Sequence, residues 1–117
     1  MKNSVFPIEL KTIIQEKDSI NQLVEKTRTT NTVFAEINSV TQTEFFSAGR
    51  LGFQPSFKVT MYDFEYNNEP IVGYNGSLYS VYRTYAVNGT DRLELYLEER
   101  GGTKDEPSAD DNTSEQP

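Results

Sequence analysis

The segment Arg92–Glu98, which reads RLELYLE, decides the fold class. Its three leucines, Leu93, Leu95 and Leu97, alternate with charged or aromatic residues. Successive side chains of a β-strand point to opposite faces of a sheet, so this spacing places the three leucines on one face and the charges on the other. The segment is therefore predicted to be a half-buried strand.

The same alternation recurs upstream in shorter runs. It begins at Ile8–Lys11 and blurs at Ile13-Ile14, is weak in Ile20–Thr30, and is clear at Val33, Ala35 and Ile37 and again at Phe57, Val59 and Met61. Asn75-Gly76 and Asn88-Gly89 tolerate positive φ and predict hairpin turns, the second within a longer loop. The pattern predicts three strands before residue 41 and consecutive antiparallel strands from about Ser56 to Glu99.

One segment, Thr41–Leu51, departs from this pattern and predicts a short helix. Thr41 followed three residues later by Glu44 fits a capping box, and Gly49 or Gly52 can end the helix. We expect Phe45 to pack on the sheet and Phe46 to face a neighbouring molecule. A small sheet avoids open edges by closing, so the predicted fold is mainly β: a small antiparallel β-barrel with one inserted helix at about residues 41–51.

The composition changes sharply near Gly101. Residues 103–117 contain no aromatic or branched aliphatic residue and have one lysine against five acidic residues, a net charge of −4 out of −7 for the chain. Such a segment cannot bury enough apolar surface to offset its ordering entropy. We therefore predict a barrel domain at residues 1–100 and a disordered acidic tail at 101–117, whose deletion leaves the melting temperature unchanged.

Composition also limits the chemistry. The chain has no Cys, His or Trp, which excludes disulfides, thiol nucleophiles, Cys/His zinc sites and histidine-based catalysis. No apolar run approaches the roughly 20 residues of a membrane span, and the negative charge disfavours general nucleic-acid binding. Residues 1–7 are not expected to be a signal peptide, because no apolar h-region follows them. No enzyme activity, cofactor, metal or membrane partner is therefore expected.

Seven tyrosines lie between positions 62 and 96. Aromatic side chains on a sheet can stack nucleic-acid bases, and the predicted element order resembles an oligonucleotide-binding barrel. Tyrosine also suits half-buried strands and protein interfaces. Only Arg83 and Arg92 lie near these rings in the sequence, so a structural or interface role is favoured.

The most informative single charge is Arg83. Alternation in Tyr79–Tyr85 places it on the face of Tyr79, Val81 and Tyr85. An inward arginine would need a paired carboxylate, for which Glu44 is a candidate unless it caps its own helix. An outward arginine among tyrosines would mark a contact surface. The sequence leaves both interpretations open.

Three segments together resemble a known family. Val40–Pro55 (VTQTEFFSAGRLGFQP) is similar to that family's helix and exit loop, Tyr74–Tyr85 (YNGSLYSVYRTY) to its Y-N-G-x-x-Y-x-[VI]-Y-R-T-Y pattern, and Leu93–Glu99 to its closing strand. The family is the head-closure proteins (head–tail connector, or stopper, proteins) of long-tailed bacteriophages, as found in phages of Gram-positive hosts. The resemblance covers roughly residues 8–100, in the right order.

The resemblance implies a structural virion protein without enzyme activity. It implies a homo-oligomeric ring, dodecameric in the family, below the portal and adaptor rings, which closes the capsid DNA channel after packaging and offers the docking surface for the tail-completion or tail-terminator protein. Double-stranded DNA would pass through it without sequence-specific binding. The implied location is the neck of the virion and, during assembly, the host cytoplasm. The isolated protein is expected to be monomeric or weakly associated.

Two groups of residues become candidates on this basis. The candidate interface residues are Glu44, Phe45, Phe46, Arg50, Arg83 and Tyr85. In the family, long loops reach into the channel or across to neighbouring rings. Here the candidate mobile loop lies within the connection around Lys17–Thr30 and includes Ile20, Gln22, Leu23, Val24 and Lys26. Two alternatives remain open: a single-stranded nucleic-acid-binding barrel, and a tail-completion protein of the same connector.

Overall fold

A computed structural model describes residues 4–100 of the chain. Its elements, in order, are β1 (Val5–Lys17), β2 (Leu23–Asn38), α1 (Gln42–Arg50), β3 (Pro55–Tyr62), a short 3-10 helix (Asp63–Glu65), β4 (Ile71–Tyr74), β5 (Ser77–Ala86) and β6 (Arg92–Glu99). The predicted domain boundary at residue 100 and the predicted disordered tail at 101–117 lie outside the described residues.

The six strands form a closed barrel in the order β1-β2-β3-β6-β5-β4, and all neighbouring strands are antiparallel. The ring closes where β4 pairs with β1, and this closure removes the open edges of the sheet. The predicted fold class, a mainly β antiparallel barrel with one inserted helix, is confirmed.

Side chains from the alternating positions fill the barrel. The fully buried ones include Ile8, Leu10, Ala35, Val59, Met61, Leu95 and Leu97. Leu93, Ile37 and Phe57 pack against the same cluster, so the predicted inward faces of β2, β3 and β6 are confirmed. Burying one large aliphatic side chain contributes about 1.5–3 kcal/mol, which makes this core the main source of stability.

The two predicted turns occur where expected. Asn75 (φ 54°) and Gly76 (φ 85°) form the two-residue turn between β4 and β5, and both need the left-handed region that Asn and Gly tolerate best. The turn at Asn88 lies in a longer connection, residues 87–91, in which Val87 N donates to the carbonyl oxygen of Arg92.

The expectation of three strands before the helix is wrong. Two long strands are present, because the weak run Ile20–Thr30 and the clear run Thr32–Val40 belong largely to one continuous strand, β2. The expected long connection at Lys17–Thr30 is accordingly reduced to a turn at residues 18–22. The segment 27–32 is rich in threonine, which favours an extended backbone. It therefore continues the strand rather than ending it.

A β-bulge explains why the alternation of β1 blurs. The pairing with β2 shifts between Leu10 and Lys11, and both side chains are buried. Lys11 Nζ donates to Thr29 Oγ1 at 2.9 Å and lies 3.2 Å from Glu9 Oε1. A Cβ at Gly73 on β4 would lie 2.7 Å from Lys11 Cε, so glycine makes room for the buried lysine.

Beyond this bulge the β1–β2 hairpin continues as an arm, which we define as residues 12–28. Within residues 4–100, the arm pairs with no strand other than its own partner. Asp18 closes its tip by accepting hydrogen bonds from the backbone N–H groups of Ile20 and Gln22. The described chain measures 50 × 30 × 23 Å with a radius of gyration of 15.6 Å, against about 13 Å for a compact chain of about 100 residues.

Candidate functional site

Helix α1 begins and ends at the capping residues that the sequence predicts, Thr41 and Gly52. Thr41 Oγ1 accepts a hydrogen bond from Glu44 N at 3.1 Å at the N-terminus. At the C-terminus Gly52 adopts φ +94°, and Phe53 N donates to the carbonyl oxygen of Ala48. This is one of the two hydrogen bonds of the predicted capping box. The Glu44 carboxylate, which would make the other, binds Tyr82 and Arg83 of β5.

Glu44 connects the helix to the barrel. Its Oε1 lies 2.6 Å from Arg83 Nη2, and its Oε2 accepts a hydrogen bond of 2.8 Å from the Tyr82 hydroxyl. Glu44, the candidate partner named for an inward Arg83, is thus bound to it, although Arg83 lies on the outer surface. The two residues are 39 positions apart in sequence, so the contact fixes α1 against β5.

The predicted face of Arg83 is wrong. Val81 pairs with Leu97 and Arg83 with Tyr96, so the register shifts at a bulge that leaves Tyr82 without an opposite residue. Before the bulge Tyr79 and Val81 pack against the core, and after it Arg83 lies on the outer surface. One extra residue reverses the alternation, and nothing in the sequence marks it.

Arg83 covers a tyrosine that the sequence did not single out. Its guanidinium carbon lies 4.0 Å from the centre of the Tyr96 ring, and Tyr96 is only 7% exposed although it lies on the outer face of β6. Tyr96 OH donates to Glu94 Oε1 at 2.7 Å, and Glu94 pairs with Lys58 on β3 at 3.2 Å. Ion pairs and rings thus form one layer between the barrel and α1.

The pKa values follow from these contacts. Burial alone raises the pKa of Glu44, but the hydrogen bonds from Arg83 and Tyr82 outweigh it, and the net shift is downward. Burial and the hydrogen bond to Glu44 raise the pKa of Tyr82, and burial with the Glu94 contact raises the pKa of Tyr96 to about 12. At neutral pH the carboxylate is therefore charged and both phenols are neutral, which suits a fixed structural contact.

Beside this cluster lies a groove between α1 and β5, which we call the helix groove. The ring of Phe53 stacks on that of Tyr82 with centres 4.8 Å apart. The groove has a volume of about 200 Å³ and is lined by Ala48, Leu51, Phe53 and Tyr82, with Glu44 and Arg83 at its polar side. Its apolar lining leaves it able to receive one ring-sized side chain.

The expected burial of Phe45 is wrong for the described chain. The helix contacts the barrel through Glu44 and through Ala48, its one buried residue, which lie one turn apart on the same face. Phe45 is 49% exposed and Phe46 57% exposed, with ring centres 5.8 Å apart. Both phenylalanines therefore remain available for contact with another molecule.

The two remaining candidate interface residues are also exposed. Arg50 lies in the last turn of α1, and Tyr85, which is 45% exposed, pairs with Glu94 on the outer face of β5 and β6. Of the seven tyrosines, Tyr62 and Tyr85 are exposed and the other five are partly or fully buried. The rings thus form no continuous stacking platform on the described surface.

The structure places the candidate mobile-loop residues at the far end of the arm. Ile20 and Gln22 lie in its turn, and Leu23, Val24 and Lys26 begin β2. Ile20 is 69% exposed and Leu23 63% exposed. Lys26 pairs with Glu16 across the arm at 3.2 Å. The arm therefore presents apolar side chains at its tip on a two-stranded ribbon.

A second exposed aromatic group was missed by the sequence reasoning. Tyr62 and Phe64, at the far end of β3 from α1, stack with ring centres 5.2 Å apart, and Phe64 is 71% exposed. Arg92 lies over Tyr62 at 4.7 Å and pairs with Glu36 at 3.1 Å. The sequence offered one indication of this exposure: Phe64 lies between two acidic residues, Asp63 and Glu65, and such neighbours are unusual for a buried phenylalanine.

Residues 4–100 show neither a metal-binding group nor a membrane-spanning helix. No three metal-ligating side chains in that part of the chain are grouped so that they could hold an ion. None of its helices has the length and apolar character to cross a bilayer.

Comparisons with known proteins inform the fold. No protein-family model matches the chain, and no curated protein matches it. Among solved structures, the chain is similar to protein SF1141 from Shigella flexneri 2a, determined in solution by a structural-genomics consortium, with a TM-score of 0.62 and 18% sequence identity. The match covers 81% of this chain and 91% of that protein. At this identity the likeness concerns the fold, and it agrees with the barrel described above.

Proposed function

We propose that this protein is a structural component of the bacteriophage head–tail connector. It forms a ring below the portal and adaptor, closes the DNA channel after packaging, and offers the docking surface for the tail. The proposal rests on the resemblance of Val40–Pro55 and Tyr74–Tyr85 to head-closure proteins.

One observation supports it most. The two resembling segments are far apart in sequence, yet their residues meet in the cluster of Glu44, Tyr82 and Arg83. A motif whose separated parts contact each other specifies a local structure, and that structure here holds an exposed pair, Phe45 and Phe46, on the outer surface. Exposed aromatics on a rigid support are typical of protein interfaces.

The arm is a second supporting feature. A two-stranded ribbon is marginally stable by itself in water, and its exposed tip residues Ile20 and Leu23 add little to the barrel. Such an extension gains its value when it contacts another molecule. In the proposed ring it reaches towards the channel or a neighbouring ring.

Reconstitution tests the proposal. The protein is mixed with the portal and adaptor proteins that the proposal assigns to the same phage, and the complexes are imaged by electron microscopy. We expect an added ring of twelve copies below the adaptor, and weaker addition by a Phe46→Ala variant than by a Phe34→Ala control, which also removes an exposed ring. Absence of binding to the portal–adaptor complex would contradict the proposal.

The same preparation addresses the nucleic-acid alternative. Retention on a single-stranded oligonucleotide column at low salt, lost as salt rises, would favour that alternative. We expect the protein to pass through without retention, since the chain carries a net charge of −7 and phosphate binding needs an excess of Lys and Arg.

A further inference from the structure

The helix groove and the exposed Phe64 differ in shape and in charge. The helix groove is a concave site of about 200 Å³ between α1 and β5. Phe64 lies in the 3-10 helix after β3, with 71% of its surface exposed and its ring stacked on that of Tyr62. One site is concave and the other convex, so the two are complementary in shape.

The volumes are compatible. A cavity of roughly 150 Å³ lined by apolar side chains can hold a benzene molecule. The helix groove exceeds this volume, and Phe53 and Tyr82 already stack in its wall. A phenylalanine ring entering it would meet Ala48 and Leu51 on one side and aromatic rings on the other.

The charges are also complementary. Phe64 is flanked by Asp63 and Glu65, and Asp63 N is bonded to the carbonyl oxygen of Asp91, which brings a third carboxylate into the same region. The helix groove is bordered by Arg83, whose side chain is 43% exposed, and by Glu44, whose side chain is 12% exposed and already paired with Arg83. Arg83 uses Nε and Nη2 to bind Glu44, and a guanidinium has further N–H donors for a second carboxylate.

We propose that Phe64 of one copy of this chain inserts into the helix groove of a second copy, with Asp63 or Glu65 facing Arg83. A contact between two different surfaces of the same chain is head-to-tail, and repetition of it generates a ring or an open filament. The occupant is a second copy rather than residues 101–117, because that acidic segment contains no aromatic residue to fill the groove. In the cell this contact serves the ring of the proposed function and rests on that proposal, but the contact itself is testable with the protein alone.

Disulfide trapping tests the contact directly, because the chain has no cysteine. The full chain carries both Ser47→Cys, in the lining of the groove, and Asp63→Cys, next to Phe64, so that Phe64 itself is kept. It is oxidised at high concentration and analysed without reductant. We expect a ladder of covalent oligomers, and a crosslinked heterodimer when the two single variants are mixed. The control combines Ser47→Cys with Ile20→Cys, which replaces an exposed residue at the arm tip and should give no ladder.

A ladder that is absent while both thiols react freely with a maleimide would overturn the proposal. So would a ladder of equal intensity from the Ile20→Cys control, since that pattern indicates unspecific collision. A disulfide dimer from Asp63→Cys alone, without the heterodimer in the mixture, would instead indicate a symmetric contact and also overturn it.

A second measurement avoids oxidation. Sedimentation of Phe64→Ala should show self-association weakened about tenfold, the effect of removing a central interface residue. Phe34→Ala, which also removes an exposed phenylalanine (64% exposed), should leave association nearly unchanged. Equal losses for the two variants, with folding intact by circular dichroism, would overturn the assignment of Phe64.

The outcomes for this contact and for the proposed function are separable. If the free protein gives a ladder but does not bind the portal and adaptor, the contact between copies is supported and the connector role is contradicted. Twelve-fold rings on the adaptor that form normally with Phe64→Ala retain the connector role and contradict the contact.

Discussion

The barrel and the arm are built from the same two strands, yet they are stabilised in different ways. In the barrel, β1 and β2 each bond a second strand and bury Ile8, Leu10 and Ala35 completely. In the arm the two strands pair only with each other among the described strands, Glu25 also lies 3.4 Å from Arg100, and Ile20 and Leu23 remain exposed. An apolar residue in the barrel is thus explained by the stability of the chain itself. An exposed apolar residue at the arm tip adds little to that stability.

The same substitution in the two regions should give the largest contrast. Leu97→Ala leaves a cavity in the core and should lower the free energy of unfolding by about 2–5 kcal/mol. Leu23→Ala at the arm tip should change it by less than about 0.5 kcal/mol, as is usual for exposed positions. Urea denaturation followed by circular dichroism measures both. Similar losses would mean that the arm tip packs as a second core.

A smaller effect is expected at the boundary between the regions, where Lys11 is buried against β4. Gly73→Ala would bring a methyl group to 2.7 Å from Lys11 Cε and 3.1 Å from Glu9 Oε1. Moving the lysine disturbs its bond to Thr29, so we expect a loss of about 1–3 kcal/mol. Thermal unfolding is the measurement.

Gly49→Ala is the matched control for this variant, since no atom lies within 4 Å of the added Cβ. Gly49 is inside α1, where alanine is the better helix former, so this change should stabilise the chain by about 1 kcal/mol. Losses of equal size in both variants would contradict the role given to Gly73.

A third prediction concerns pH and the attachment of α1 to the barrel. The pKa of Glu44 lies below its ordinary value of 4.5 because Arg83 and Tyr82 stabilise the carboxylate against the effect of burial. A lowered pKa means that this stabilisation is complete above pH 4.5 and is lost as the pH falls through the folded-state pKa. Glu44→Gln should therefore cost about 1 kcal/mol at neutral pH, and the difference from the unmodified protein should shrink in acid.

Denaturant titrations at several pH values measure this difference. A constant gap between Glu44→Gln and the unmodified protein down to strongly acidic pH would contradict the ionic character of the contact.

The smallest effect is expected for the ion pair of the arm. Lys26 and Glu16 are 29% and 42% exposed, and solvent weakens such pairs to about 0.2–1 kcal/mol. A double-mutant cycle with Lys26→Ala and Glu16→Ala should give a coupling energy at the low end that falls further at high salt. The corresponding cycle for Lys58 and Glu94, 20% and 17% exposed, should give a larger value. A reversed order would contradict the contrast between arm and barrel.

Much of the barrel could be predicted from the sequence because its signals are local. The leucines of β6, the turn at Asn75-Gly76 and the cap at Thr41 each act within a few residues, and each was identified correctly. The length of β2 was not, because the segment 27–32 interrupts the apolar alternation although its threonines favour an extended backbone.

The candidate site was less predictable because it depends on register. The bulge at Tyr82 is a mismatch in the number of residues between β5 and β6, and such a mismatch is a property of the pair rather than of either strand. The partnership of Glu44 and Arg83 was anticipated, but their location on the outer surface and the exposure of Phe45 were not. Those depend on which helix face Ala48 turns towards the barrel.

The closure of the ring has a consequence for how the chain folds. The β1–β2 hairpin joins the rest of the barrel through two seams of three residue pairs each, one to β3 and one to β4. The second seam pairs Glu9 with Gly73. During synthesis this pairing can form only after more than half of the chain has been made. Contacts of such high sequence separation are entropically costly and slow to form. The hairpin is therefore expected to form early and alone, and the apolar faces of β1 and β2 stay exposed to misassociation until β4 closes the ring.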